Sequence, residues 1–108
     1  MNADELLERL ERMKDAIPTY AKSKADRVYI EQFRKSKKAI LMQESPEKTQ
    51  AGKKSWAYAH PDYVQLLEGL KEAVEKEELH KWALLRIQMS IDVYRTQEAS
   101  RRAVEGRV

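Results

Sequence analysis

The fold is decided by residues 61–105, which read PDYVQLLEGLKEAVEKEELHKWALLRIQMSIDVYRTQEASRRAVE. This stretch contains one glycine, Gly69, and no proline after Pro61. Pro61 suits the first turn of a helix, and Asp62 suits the positive end of the helix dipole. At 1.5 Å per residue, the stretch predicts a single helix of about 65–70 Å, which is several times the usual helix length.

One face of this predicted helix has apolar residues at alternating steps of four and three, which is typical of a seam against another helix. The seam residues that we expect in the packing and dimer core are Leu66, Leu70, Leu84, Ile87, Ile91 and Tyr94. Further apolar residues fall outside the seam, at Leu67, Val74, Trp82, Leu85 and Met89. Two apolar faces predict two neighbours for this helix rather than one.

Residues 3–43 predict the first arm of a helical hairpin. Apolar residues recur on one helix face from Leu6 to Ile17. Pro18 lacks an amide donor and its ring clashes with the preceding turn, so we expect a kink or short break near residues 17–19. Helical composition resumes at Thr19 and continues without glycine or proline to Gln43.

Residues 44–60 predict the linker between the arms, because Pro46 and Gly52 end regular structure. The last part of this linker is rich in aromatic and imidazole side chains. We favour an interpretation in which Trp56 and Tyr58 fold back and plug the apolar end of the bundle, with a recognition patch as the alternative. His60 is predicted to be a turn or cap residue rather than a catalytic base.

The composition is typical of one domain of long solvated helices. The chain has 108 residues, of which 42% are hydrophobic and 36% charged, with three glycines and three prolines. It has no cysteine, which excludes a disulfide framework and a thiolate metal site. No run is long and apolar enough to span a membrane, and the acidic first residues are unlike a signal peptide. The expected location is the cytoplasm.

The charges favour antiparallel pairing of the two arms. The net charge of +3 comes from 21 basic and 18 acidic residues, which are unevenly spread. In an antiparallel hairpin, the basic segment 18–43 lies along the acidic segment 61–79, and the acidic segment 1–17 lies along the basic segment 80–108. A lone two-helix hairpin buries little surface. A homodimer that forms a four-helix bundle is therefore the simplest prediction, with a higher oligomer as the alternative.

A basic cluster raises nucleic-acid binding as a competing function. The residues that would contact phosphates are Arg34, Lys35, Lys37, Lys38, Lys53 and Lys54. Trp56 or Tyr58 would stack on bases. The alternative is that these cations pair with the acidic face of the long helix, which the small net charge favours.

Glu77 and His80 have the Glu-x-x-His spacing of di-iron helical bundles, which makes a metal-binding bundle a remote alternative. A register that sets Ile40 opposite Tyr63 surrounds this pair mainly with cations: Arg27 and Lys24, with Glu31 about one turn away. A buried ion-paired layer that fixes the register is favoured over a metal. No cofactor is expected. An enzyme is not expected either, because no catalytic triad or glycine-rich phosphate loop is present.

Three strings carry a resemblance to a known group of proteins. They are RVYIEQFRKSKKA at 27–39, YAHPDY at 58–63 and YRTQEASR at 94–101. They resemble small, all-helical bacteriophage and prophage proteins that have no assigned activity, over about residues 26–102. The resemblance implies a phage-encoded protein associated with DNA recombination or replication. We therefore predict a non-enzymatic interaction or accessory protein, whose partner is DNA or a phage or host protein.

Overall fold

A computed structural model describes residues 1–107, and within that range the chain forms three α-helices and no strand. Helix α1 spans Ala3–Glu44 with 42 residues, α2 spans Gln50–Ala59 with 10, and α3 spans Pro61–Glu105 with 45. The predicted all-α class and the long helical hairpin are confirmed. Helix α3 also begins and ends at the residues that the sequence predicted.

Helix α1 begins with a reciprocal cap and runs through Pro18 without a break. The Oδ1 of Asn2 accepts a hydrogen bond from the Glu5 amide at 2.9 Å, and Oε2 of Glu5 accepts one from the Asn2 amide at 3.4 Å. Pro18 is exposed, so the carbonyl oxygen of Lys14 that it leaves without a donor lies on the solvent side. A break at Pro18 is therefore wrong, whereas a change of helix direction there stays a prediction.

The linker prediction is wrong over residues 50–59, which form α2. Thr49 is the N-cap, and its Oγ1 accepts a hydrogen bond from the Gly52 amide at 3.0 Å. A glycine inside a helix costs only about 1 kcal/mol, and a threonine cap contributes a similar amount. Gly52 therefore does not end regular structure here.

His60 joins α2 to α3 by capping both. Its amide donates to the Ala57 carbonyl at 3.2 Å, which closes α2. Its Nδ1 accepts a hydrogen bond from the Asp62 amide at 3.0 Å, which satisfies a free donor in the first turn of α3. The prediction that His60 is a cap residue is confirmed.

The packing divides into two compact units. Unit 1 combines residues 1–21 of α1 with the part of α3 from Glu78 onward, and unit 2 is Lys22–Glu77, which includes α2. In each unit, a segment of α1 runs antiparallel to a segment of α3. The single domain predicted from the chain length stays a prediction.

Unit 2 contains the hydrophobic core cluster. Leu41, Ala57 and Tyr63 are buried in it, and Met42 and Trp56 pack against them. Helix α2 supplies Ala57 and Trp56, so this short helix covers the place where α1 ends and α3 begins.

Unit 1 has far less buried apolar surface. Ile91 is its one buried hydrophobic residue among those described. The other residues of the predicted seam, in both units, are only half-buried: Leu66, Leu70, Leu84, Ile87 and Tyr94.

The last turns of α3 in unit 1 extend beyond the start of α1. Met1 and Glu5 line a cavity with residues as late as Gln97, and residues 99–105 are all exposed. These turns carry their own ion pairs. Arg101 lies 2.6 Å from a carboxylate oxygen of Glu98 and 2.7 Å from one of Glu105.

No helix within residues 1–107 is long and apolar enough to cross a membrane.

Candidate functional site

Unit 1 exposes an apolar surface on α3, which we call the α3 face and which consists of Trp82, Leu85, Met89 and Val93. Their spacing of three, four and four residues places them on one side of the helix. Their exposed fractions are 60%, 36%, 61% and 56%. Trp82, Leu85 and Met89 are among the residues that the sequence placed outside the seam, and the seam residue Ile91 is 6% exposed. The prediction that α3 has a second apolar face is confirmed for these residues.

The α1 segment of unit 1 has exposed apolar residues of its own. Leu7, Leu10 and Ile17 are 60%, 45% and 49% exposed. Scattered exposed apolar residues are ordinary on a protein surface. Among the described residues, unit 1 exposes ten large apolar side chains and buries Ile91, whereas unit 2 exposes eight and buries Leu41, Ala57 and Tyr63.

The formal charge of unit 1 is zero, since it holds nine basic and nine acidic residues. Unit 2 holds twelve basic and nine acidic residues and therefore carries the whole net charge of +3. Association between two copies of unit 1 meets no net repulsion, whereas unit 2 attracts anions.

An ion-paired layer in unit 2 connects α1 to α3. Arg27 donates two hydrogen bonds to the carboxylate of Glu77, at 2.6 and 3.1 Å, and a third to Glu31 at 2.7 Å. Glu77 is buried, and the hydrogen bond that Arg27 makes to it is the main reason why the pKa of Arg27 is raised above its usual value. The prediction that Glu77 meets Arg27, with Glu31 nearby, is confirmed. Lys24 is exposed.

The basic cluster of unit 2 is only partly used in contacts with α3. Lys37 lies 3.7 Å from the carboxylate of Asp62, and Lys38 lies over the ring of Tyr58 at 4.9 Å. Arg34, Lys35 and Lys54 are exposed and form no ion pair within residues 1–107. The expected pairing of this cluster with the acidic face is therefore incomplete.

Tyr58 lies at the centre of this basic surface. Its ring is 45% exposed and meets Tyr63 edge to face at 5.2 Å between centroids. The neighbouring ammonium group of Lys38 is the main cause that lowers the pKa of Tyr58, the charges of Lys54 and Arg34 lower it further, and partial desolvation opposes them. The cations Lys38, Lys54 and Arg34 near Tyr58 make this part of the surface electropositive.

Trp56 has a different environment from Tyr58. It is half-buried against the core cluster, and its ring lies 5.0 Å from that of His60. Trp56 thus packs as the favoured interpretation of the linker predicted, while Tyr58 remains accessible. Of the two lysines on α2, Lys53 is half-buried and Lys54 is exposed.

The residues with metal-ligand spacing are not gathered into a site. Within residues 1–107, no group of three or more His, Cys, Asp or Glu side chains is placed to hold a metal ion.

A group of arginines that the sequence analysis did not single out lies together in unit 1. Arg9 and Arg12 on α1 and Arg86 on α3 line one cavity of about 500 Å³, together with Ala83, Ile87 and Ser90. The signal is weak in the sequence because Arg86 is more than seventy positions from Arg9 and Arg12. Antiparallel pairing of α1 with α3 is what brings Arg9 and Arg12 close to Arg86 in unit 1, and no local sequence pattern contains it.

Comparison with protein-family models, with curated proteins and with solved structures finds no match to this chain. Function is therefore argued from the surfaces described above.

Proposed function

We propose that this chain is a non-enzymatic helical interaction protein, and that its α3 face joins a second copy of the chain. The observation that carries the proposal is the apolar imbalance of unit 1, in which Trp82, Leu85, Met89 and Val93 are exposed and Ile91 is buried. A homodimer that closes into a four-helix bundle covers this face in both copies.

The size of the face supports a dimer. Burying a large apolar side chain contributes about 1.5–3 kcal/mol, and association costs about 4–15 kcal/mol in translational and rotational freedom. Two copies of the α3 face contribute eight such side chains. Because these side chains are 36–61% exposed in the single chain, their further burial contributes roughly 6–13 kcal/mol, which is comparable to the cost. The zero formal charge of unit 1 adds no repulsion.

The context in which such a dimer acts is also proposed. The resemblance of residues 26–102 to small phage and prophage proteins supports an accessory protein encoded by a phage. Its partner would be DNA or a phage or host protein of recombination or replication.

The oligomeric state tests the dimer directly. Light scattering of the purified chain is expected to give twice the chain mass of 12.7 kDa. A mass of one chain at every concentration tested would refute the proposal.

A pair of substitutions tests which surface forms the dimer. The variant Trp82→Glu/Met89→Glu is expected to be helical and monomeric, because both side chains are exposed in the single chain and a buried charge at an interface is costly. The control is Leu7→Glu, which changes a side chain that is 60% exposed on α1. The control is expected to stay dimeric, and equal dissociation of both variants would contradict the choice of the α3 face.

Nucleic-acid binding by unit 2 is a second candidate function. It is favoured by the three exposed cations Arg34, Lys35 and Lys54, which form no ion pair within residues 1–107, and by the accessible ring of Tyr58, which lies near Arg34 and Lys54. Cations of this kind contact phosphates, and an exposed ring stacks on unpaired bases.

Fluorescence anisotropy with single- and double-stranded DNA at two salt concentrations tests this candidate. Binding should weaken with salt, and Arg34→Ala/Lys35→Ala/Lys38→Ala should reduce the slope of log affinity against log salt by about one for each phosphate that the variant no longer neutralises. The matched control removes three other exposed lysines of unit 2, Lys24, Lys48 and Lys71. Absence of binding at low salt, or an equal reduction in the control, would reject the candidate.

A further inference from the structure

We propose that the cavity of unit 1 lined by Arg9, Arg12 and Arg86, which we call the arginine cavity, binds the phosphate group of a small ligand. This site is separate from the basic surface of unit 2, and Arg86 lies beside the α3 face, one turn from Trp82 and Met89. Its volume of about 500 Å³ is within the usual range of small-ligand pockets.

The charges of these arginines are not compensated by carboxylates. Arg12 and Arg86 form no ion pair within residues 1–107, and Arg9 donates only to the sulfur of Met1, at 3.2 Å. Glu5 lies one turn before Arg9, but its carboxylate contacts the N-terminal amino group and the Asn2 amide instead. Three guanidinium groups therefore border one cavity in a unit whose formal charge is zero.

Guanidinium groups bind oxyanions, and three positive charges at one cavity favour the more highly charged phosphate over a carboxylate. The planar set of N–H donors of a guanidinium matches two oxygens of a phosphate at once, and hydrogen bonds between charged groups are about twice as strong as neutral ones. Arginines from two helices can approach one phosphate from two directions. Ala83 lines the cavity between them with a small side chain, which leaves room for the ligand.

Ser90 supplies the second, independent observation. Its Oγ is buried and has no hydrogen-bond partner within residues 1–107, yet Ser90 lines the same cavity. Buried hydroxyl groups are nearly always hydrogen-bonded, and one left without a partner destabilises the fold. Because this Oγ is buried in the free chain, it would hydrogen-bond a phosphate oxygen only after the Ser90 side chain moves on binding.

The test is a calorimetric titration of the full chain with inorganic phosphate, pyrophosphate and a nucleoside monophosphate at constant ionic strength. We expect saturable binding of at least one of these, and the strongest among them identifies the source of the phosphate group. Chloride at equal ionic strength should give no heat of binding. Absence of saturable binding of all three would overturn the proposal.

Substitutions on α1 locate the site without touching the α3 face. Arg9→Gln/Arg12→Gln is expected to weaken binding about tenfold or more, since each substitution removes a charge-assisted hydrogen bond to the phosphate. The control, Lys14→Gln/Arg107→Gln, removes the same charge from exposed residues of unit 1 outside the cavity and should bind as the parent does. Equal weakening in both variants would show non-specific attraction and reject the site.

Ser90→Ala separates a direct role in ligand binding from a structural role, because the two effects have opposite signs. Removing an unpartnered buried hydroxyl should leave the thermal midpoint of the free chain unchanged or higher. The same change should weaken phosphate binding several-fold. Unchanged affinity would remove Ser90 from the site. Binding of single-stranded DNA at the arginine cavity without binding of any small phosphate would overturn the choice of ligand.

Discussion

Unit 2 and unit 1 are built from the same two helices, yet only unit 2 has a core. In unit 2, Leu41, Ala57 and Tyr63 are buried together, and α2 supplies part of the covering surface. In unit 1, two helix segments pack without a third, and Ile91 is the one buried hydrophobic residue among those described. The difference teaches that two paired helices leave most of their contact residues half-buried, whereas a third helix of only ten residues is enough to bury a cluster of apolar side chains.

The two units also differ in how their register is fixed. In unit 2, the hydrogen bonds from Arg27 to Glu77 join α1 to α3 at one position, because a charged pair tolerates little displacement. Apolar packing is non-directional and defines a register less sharply. The register of unit 2 is thus specified by its own charged residues, while unit 1 leaves much of its apolar surface exposed.

The largest expected effect is on the core of unit 2. Leu41→Ala, at a side chain that is 1% exposed, should lower the free energy of unfolding by about 2–5 kcal/mol. Ile91→Ala in unit 1 should cost less, because loosely packed surroundings collapse more easily around the missing atoms. Chemical denaturation of both variants at a concentration where the parent is monomeric measures the difference. Equal destabilisation would contradict the contrast between the units.

A substitution of opposite sign addresses unit 1. Pro18→Ala restores a backbone donor inside α1 and should stabilise the helix by about 2 kcal/mol, after allowing for the greater freedom of the unfolded chain. Pro46→Ala is the control, since Pro46 lies outside the helices and should give no such gain. Thermal unfolding followed by circular dichroism measures both. A lower thermal midpoint for Pro18→Ala would contradict the prediction, because it would show that contacts of Pro18 stabilise the folded chain.

A pair of glycines in unit 2 gives a smaller effect with opposite signs. A Cβ at Gly69 in α3 meets no atom within 4 Å, so Gly69→Ala should stabilise the chain by about 0.5–1 kcal/mol. A Cβ at Gly52 would lie 2.9 Å from Oγ1 of Thr49, which caps α2, so Gly52→Ala should destabilise it. The denaturation midpoints of the two variants, compared with that of the parent chain, measure both effects. A higher midpoint in both variants would show that the Thr49 cap contributes nothing to the stability of unit 2.

The smallest effect concerns the electropositive surface of unit 2. Lys38→Gln should raise the pKa of Tyr58 towards its ordinary value of 10.0, because the main cause of its lowered pKa is removed. Since the pKa is lower in the folded chain, ionisation of Tyr58 favours folding as pH rises through the folded pKa, and this contribution is complete above the unfolded pKa. Tyrosinate absorbance during alkaline titration gives the measurement. Lys35→Gln serves as the control and should leave the curve unchanged.

The sequence predicts most of the fold because its signals are local. Helix α3 follows from Pro61, Asp62 and the long stretch that lacks helix-breaking residues, and the pairing of Arg27 with Glu77 follows from the register. Helix α2 could not be predicted so simply. Taken singly, Gly52 is stronger evidence against a helix than Thr49 is for one. Their hydrogen bond makes them a single cap. The arginine cavity brings together residues far apart in the chain, which no local pattern contains.

The last turns of α3, beyond the start of α1, have a kinetic consequence. Residues 99–105 are exposed, so their helical hydrogen bonds are supported by the ion pairs of Arg101 with Glu98 and Glu105 rather than by apolar packing. The pKa of Glu98 is lowered mainly by its hydrogen bond with Arg101, so this support is present at neutral pH and is lost as pH falls through that lowered pKa. Backbone amide protons in these turns should exchange with deuterated solvent earlier than those around Ile91. Added salt screens the ion pairs of Arg101 and should therefore increase the difference between the two exchange times.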